Sequence, residues 1–102
     1  MLKKESFIKW MEQSTILSES TREKYARAIT INSSALIDYG VIEGSLYNIT
    51  DPKVLVSMKE KYLSIAELRD KDERGNRMYS SAFNYFELYL EQLKSSADRA
   101  MK

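Results

Sequence analysis

Acidic side chains cluster in one stretch of the sequence, where Asp70, Asp72 and Glu73 lie within four residues. Carboxylates this close together can bind a divalent cation. Basic residues alternate with them, however, so the stretch neutralises its own charge. We therefore interpret residues 69–77 as a charged surface loop between two helices, and we predict no metal site there.

Nucleophilic chemistry has few candidate groups in this chain. The sequence contains no histidine and no cysteine, so the commonest general base, disulfides and thiolate chemistry are all excluded. Serine and lysine are present, but no motif pairs them as nucleophile and base. The three glycines are isolated and form no phosphate-binding loop. We predict a protein without catalytic residues and without a cofactor.

Basic residues offer a second kind of chemistry, which is binding to phosphate. Arg22, Lys24 and Arg27 lie close together in a predicted helix, and Arg74 and Arg77 follow in the charged stretch. The candidate DNA-binding residues are Thr21, Arg22, Lys24, Arg27, Arg74 and Arg77. Since 16 basic residues face 15 acidic ones, with a net charge of +1, a positive surface requires these charges to segregate. The alternative is that they only solvate two helices.

The element that must organise these residues is the stretch from Gly75 to Leu93. Apolar and aromatic residues recur there at steps of three and four, which is the period of a buried helix face. The stripe consists of Tyr79, Ala82, Phe83, Phe86, Leu90 and Leu93. We predict that this helix lies at the centre of the fold.

The same pattern predicts an all-α fold with four main helices in one domain, 1–102. The helices are expected at about 2–13, 20–39, 51–68 and 77–94, with a short helical turn near 45–47. Trp10 is interpreted as a core anchor of the first helix. Residues 95–102 lose the apolar period and are expected to be a frayed tail or a linker.

Several residues mark the helix ends. Ser20 and Glu23 have the spacing of a capping box, and Ser18 is a competing cap for the same helix. Gly40 is suited to the left-handed position that follows a helix. Asp51, followed by proline, predicts a helix start. Asn76 is a candidate cap for the last helix.

Two segments resemble a known family. ILSESTREKYARAITINSSALIDYGV is similar to the Ser-x-x-Thr-x-x-x-Tyr type of start of the core-binding domain of tyrosine recombinases and phage integrases. GNRMYSSAFNYFELYLEQL resembles the closing helix of that domain, and also a helical segment found before nuclease or ATPase domains in some bacterial restriction-type proteins. The resemblance covers most of residues 5–95.

The resemblance implies a four-helix, SAM-like bundle that clamps double-stranded DNA mainly through its backbone. Carried over to this sequence, it implies contacts from Thr21, Lys24, Arg27 and Arg77. Integrase catalysis uses arginine, histidine and a tyrosine nucleophile in a separate domain. Because this chain has no histidine, we expect no cleavage chemistry and assign no tyrosine as a nucleophile.

Two functional hypotheses follow. The first is a non-catalytic DNA-binding module of a phage, mobile-element or restriction-type protein. The second is a protein-interaction module that binds another protein or pairs with itself. It is suggested by Tyr39, Tyr47, Tyr85 and Tyr89, which exceed what a small core readily holds. No apolar segment has the length of a signal sequence or a membrane span, so we expect a cytoplasmic location and no membrane partner.

Overall fold

The computed structural model describes the backbone of residues 2–100 and the side-chain surroundings of residues 4–95. Within residues 2–100 the chain forms five α-helices and one 3-10 turn, and no strand. The elements are α1 (Leu2–Ser14), α2 (Glu19–Asp38), the 3-10 turn (Leu46–Asn48), α3 (Pro52–Ser64), α4 (Ala66–Arg74) and α5 (Met78–Ala100). The prediction of an all-α fold is confirmed, and so is the short helical turn.

Helix α5 lies at the centre of the bundle and contacts each of the other four α-helices. Its inner face buries Phe83, Phe86 and Leu90 almost completely. Removing this much apolar surface from water is the main stabilising contribution to a fold of this size. The central position predicted for this helix is confirmed. Leu93, the last member of the predicted stripe, is nevertheless 45% exposed.

Aromatic rings fill the space between α1, α5 and the 3-10 turn. Phe7 meets Phe86 edge to face with ring centroids 5.1 Å apart, and Tyr47 meets the same ring at 5.3 Å. Edge-to-face pairs of this kind add to the stabilisation that burial provides. Trp10 packs against Tyr89 at 5.9 Å but stays partly exposed, so it anchors the edge of the core and not its centre.

Helix α2 begins two residues earlier than the capping box predicted. Ser18, not Ser20, is the N-cap, and its hydroxyl accepts a hydrogen bond from the Thr21 N–H at 3.2 Å. The other end matches the prediction. Gly40 has a left-handed φ of +73°, and the Val41 N–H reaches back to the Leu36 carbonyl at 2.9 Å, as in a Schellman motif.

Polar side chains inside the bundle tie α2 to its neighbours. The Asn32 amide donates to the Tyr79 carbonyl of α5 at 3.2 Å. The Ser33 hydroxyl accepts from the Leu46 N–H at 2.9 Å, and the Tyr47 hydroxyl donates to the Ala26 carbonyl at 2.8 Å. These hydrogen bonds hold the 3-10 turn against α2, as is required of buried polar groups.

The predicted third helix over 51–68 is divided in two, which corrects the count of four. Asp51 caps α3 as predicted, but the helix ends at Ser64, whose hydroxyl donates to the Lys61 carbonyl at 2.7 Å. Such bonds compete with helix continuation. Ile65 then adopts an extended conformation with ψ of 116°, and α4 starts in a new direction.

Helix α4 occupies most of the stretch that was predicted as a loop over 69–77, so that prediction is wrong. Most of its charged residues are exposed, while Leu68 and Asp72, one turn apart, are both buried. Asn76 does not cap α5. It has a left-handed φ of +55° and ends α4, with the Arg77 N–H bonded to the Asp72 carbonyl at 2.7 Å. This is a second Schellman motif.

The last helix is longer than the predicted 77–94. Helix α5 continues to Ala100, so the backbone of 95–100 is helical, and 101–102 lie outside the described residues. None of the helices in the described part of the chain combines the length and the apolar character needed to cross a membrane.

Candidate functional surfaces

Two of the predicted DNA-binding residues lie free on the surface of α2. Lys24 and Arg27 are both exposed, and their spacing of three residues puts them on neighbouring turns of one helix side. Thr21 lies one further turn toward the helix start. It is partly buried, and its hydroxyl accepts from Ser18 at 2.9 Å, so it belongs to the helix cap.

The Arg22 side chain binds a backbone carbonyl of its own chain. Its Nη1 donates to the Leu17 carbonyl at 2.6 Å, and its Nε is buried without an acceptor among the described residues. A charge-assisted bond of this length is among the stronger hydrogen bonds in proteins. The guanidinium therefore fixes the connector between α1 and α2, and less of it remains for a phosphate.

Arg74 and Arg77 are exposed at the corner between α4 and α5. The antiparallel packing of α2 and α5 decides how far they lie from Lys24. Asn32 bonds to Tyr79, while Tyr25 stacks on Tyr85 with centroids 5.2 Å apart. The corner is thus level with the C-terminal half of α2. Lys24 precedes Asn32 by eight residues, which is about 12 Å of helix.

The six predicted residues are therefore divided between two places. Thr21, Arg22, Lys24 and Arg27 lie at the N-terminal half of α2, and Arg74 and Arg77 lie at the α4–α5 corner. Asp70 and Glu73 are exposed beside the second group. Neither place is a purely positive surface.

Asp72 has a role that the sequence did not reveal. The side chain is only 4% exposed, and its Oδ1 accepts from the Ser80 N–H at 2.9 Å in the first turn of α5. A carboxylate there satisfies a free N–H and complements the positive end of the helix dipole. Asp72 is thus the cap of α5, supplied from α4, and not part of a surface cluster.

A buried tyrosine lies near this carboxylate. The Tyr62 hydroxyl is buried without a hydrogen-bond partner among the described residues. Burial raises the pKa of Tyr62 well above its ordinary value, and the charge of Asp72 raises it further. No group of three or more acidic side chains within residues 4–95 is arranged to hold a metal ion.

An open concave surface lies elsewhere, between the end of α1, the connector 15–18 and the outer side of α5. We call it the α1–α5 groove. It is open to solvent and has a volume of about 900 Å³. Its walls include Trp10, Gln13, Ile16, Leu17, Leu88 and Gln92.

Two apolar side chains of the groove are left in water. Ile16 is fully exposed, and Leu88 is 50% exposed. Ile16 lies two residues before the N-cap of α2, and Leu88 falls outside the buried stripe of α5. One feature of the sequence could have predicted the exposure of Ile16: it is a large apolar residue outside the apolar stripe of any predicted helix.

Hydrogen bonds on both sides hold Ile16 in place. The Thr15 hydroxyl donates to the Met11 carbonyl, the Leu17 N–H donates to that hydroxyl at 3.3 Å, and Arg22 holds the Leu17 carbonyl. A side chain carried on a fixed backbone loses little further freedom when a partner covers it.

The tyrosines divide between core and surface. Tyr47 and Tyr89 are buried, with 7% and 4% exposure, whereas Tyr39 is 46% exposed. The Tyr39 hydroxyl donates to Glu67 at 2.8 Å, and this bond raises the pKa of Tyr39. Tyr85 is partly exposed and lines the α1–α5 groove.

In the part of the chain that the structure describes, these features define a class of structure, a five-helix bundle with an open, partly apolar groove and two separate groups of basic residues. Comparisons of the chain with protein families, curated proteins and solved structures found no match. The resemblance to the core-binding domain of tyrosine recombinases therefore stays a hypothesis, and the function has to be argued from the surfaces themselves.

Proposed function

We propose that this chain is a non-catalytic protein-interaction module that binds its partner in the α1–α5 groove. The observation that carries the proposal is Ile16, a fully exposed isoleucine on a connector fixed by hydrogen bonds. It lines the same groove as the half-exposed Leu88.

Exposure of Ile16 has no benefit for the isolated fold. Burying such a side chain contributes about 1.5–3 kcal/mol, and the connector would keep its hydrogen bonds with a polar residue in the same position. A partner that covers Ile16 and Leu88 recovers this free energy. An apolar centre with polar residues such as Gln13 and Gln92 around it is also the usual composition of a protein interface.

A photo-activatable cross-linking residue at position 16 tests the proposal. Illumination in a lysate of the source cells is expected to give a discrete cross-linked product, identified by mass spectrometry. The matched control places the same residue at Ile37, which is 43% exposed on α2 and is not part of the groove. Equal labelling from both positions would contradict the proposal.

A second candidate function is DNA binding through the phosphate backbone, in a SAM-like module of a phage, mobile-element or restriction-type protein. In that reading α1, α2, α3 and α5 are the four main helices. The observation in its favour is that Lys24 and Arg27 are exposed on neighbouring turns of α2. Arg74 and Arg77 would contact a more distant part of the duplex.

Fluorescence anisotropy with a labelled duplex separates this candidate from the first. At about 50 mM salt, DNA binding that falls steeply with added salt is expected from phosphate contacts. The variant Lys24→Glu with Arg27→Glu should abolish it, whereas Lys53→Glu with Lys61→Glu serves as the charge-matched control. Arg22 is left unchanged because it holds the connector. Equal loss in both double variants would indicate only a dependence on net charge.

A further inference from the structure

Helix α4 has few attachments to the rest of the bundle. Only two of its nine residues, Leu68 and Asp72, are buried, and most of the others carry a charge. Ile65 stands at its N-cap position, so no side chain of the described residues caps its first turn. An exposed hydrogen bond from the Tyr39 hydroxyl to Glu67 also holds it. Because a helix this short is not stable by itself in water, these few contacts decide whether α4 stays docked.

Several unfavourable features lie where α4 is attached. Asn76 and Arg77 have left-handed φ angles of +55° and +61° although neither is glycine, and this conformation costs free energy. Asp72 buries a carboxylate, and the Tyr62 hydroxyl near it is buried without a hydrogen-bond partner among the described residues. Burial of a charge and of an unpaired hydroxyl are both unfavourable. All of these costs are relieved when α4 leaves its position.

The helices on either side of α4 are held together without it. Helices α3 and α5 pack directly on each other. The Tyr62 ring meets the Phe83 ring edge to face with centroids 5.5 Å apart, and the Lys59 ammonium donates a hydrogen bond to the Asn84 side-chain oxygen. Residues 65–77 therefore form an excursion between two helices that stay paired, and α4 can leave the bundle without separating them.

We infer that α4 is a lid, which opens as one unit while α1, α2, α3 and α5 stay folded. Opening breaks the two hydrogen bonds that Asp72 accepts, from the Ser80 N–H to its carboxylate and from the Arg77 N–H to its carbonyl. It brings Leu68 and Asp72 into water and uncovers Tyr62. Segments that open before the rest of a fold are those with few buried apolar contacts and exposed backbone hydrogen bonds. The open form presents an apolar surface of α3 and α5 where the closed form presents charged residues.

Native-state amide hydrogen exchange on the whole chain, at increasing low concentrations of urea, tests the lid. The reporters, called the lid amides, are the N–H groups of Arg69, Gly75, Arg77 and Ser80, whose hydrogen bonds depend on the docked α4. We expect them to share one protection factor, about tenfold or more below that of the Phe86 amide of α5. Their exchange should also depend less on urea, because opening the lid exposes less surface than global unfolding does.

Two variants separate lid opening from global unfolding. Tyr47→Phe removes the hydrogen bond to the Ala26 carbonyl, which stays formed when the lid is open. It should speed exchange at Phe86 about fivefold and leave the lid amides unchanged. Asp72→Ala removes bonds that only the closed lid makes, so exchange of the lid amides and of Phe86 should both become about 30-fold faster or more. Circular dichroism checks that each variant folds.

Three results would overturn the inference. Equal protection and equal urea dependence of the lid amides and Phe86 would show that α4 opens only with the whole fold. Faster exchange of the lid amides in Tyr47→Phe would show the same. A different protection factor at each lid amide would indicate fraying from one end of α4 and not opening as a unit.

Discussion

The connector between α1 and α2 and the corner between α4 and α5 both redirect the chain, but the connector exposes an apolar side chain and the corner exposes polar ones. Both turn the chain within a few residues and are fixed by hydrogen bonds. In the corner, the Asp72 carboxylate and carbonyl hold Ser80 and Arg77 at 2.9 Å and 2.7 Å. The residues left outside, Asn76 and Arg77, are polar.

The connector uses polar side chains internally and leaves an apolar one outside. Thr15 and Arg22 bond to neighbouring backbone groups, while Ile16 is in water. An exposed arginine at a corner is well solvated, whereas an exposed isoleucine leaves apolar surface in water without stabilising the fold. We therefore propose binding for the connector side of the molecule, and the hydrogen bonds of Asp72 give the corner a structural role.

The largest expected effect is at the corner. Asp72→Ala removes the buried cap of α5 and leaves the Ser80 N–H without a partner, so we expect a loss of about 2–3 kcal/mol in the free energy of unfolding. Urea denaturation measures it. Asp70→Ala, an exposed neighbour, is the control and should change stability by less than about 0.5 kcal/mol. Equal losses of stability in Asp72→Ala and Asp70→Ala would contradict the structural role of Asp72.

A smaller effect is expected at the connector. Arg22→Ala removes the charge-assisted bond to the Leu17 carbonyl and should cost about 1–2 kcal/mol. Amide hydrogen exchange should become faster at residues 15–18, because the connector loses its restraint. Lys24→Ala, two positions away and exposed, should leave both quantities unchanged. Unchanged exchange in Arg22→Ala would show that Ile16 is not held by this bond.

The two buried tyrosine hydroxyls should respond in opposite directions. Tyr47→Phe loses the bond to the Ala26 carbonyl and should destabilise by about 1 kcal/mol. Tyr62→Phe removes a buried hydroxyl that has no partner within residues 4–95 and should be neutral or stabilising by up to about 1 kcal/mol. Thermal unfolding of both variants checks this pair, and a clear destabilisation by Tyr62→Phe would reveal a bond that the structure does not contain.

Tyr62 also sets a pH dependence. Its pKa is raised in the folded state, first by burial and then by Asp72, whereas the unfolded chain ionises near its ordinary value. Its contribution to stability is therefore complete below about pH 10 and is lost as the pH rises above that value. The alkaline decline should be less steep in Tyr62→Phe than in the wild type.

Sequence reasoning succeeded where one local rule decides the structure. The apolar period placed α5, and Gly40 marked the end of α2. The prediction failed at the corner. Asn76 ends α4 with the same motif as Gly40 ends α2, but α4 itself was not recognised, because the charged residues around Leu68 and Asp72 obscured that these two are buried. A nine-residue helix that buries only two side chains gives too weak a period to recognise.

The functional surfaces were harder to predict for a related reason. The basic residues were recognisable by type, but the antiparallel packing of α2 on α5, which separates Lys24 from Arg77, is a tertiary property. Arg22 donates a hydrogen bond to the Leu17 carbonyl, and nothing in the sequence distinguishes Arg22 from the neighbouring basic residues. The groove is formed by α1, the connector 15–18 and α5, so no local sequence pattern predicts it.

The most direct measurement is the photo-cross-linking comparison of position 16 with position 37. Our account predicts a discrete cross-linked product from position 16, which lines the α1–α5 groove, and none from position 37 on α2. Equal labelling from both positions, or no product from position 16, would contradict it.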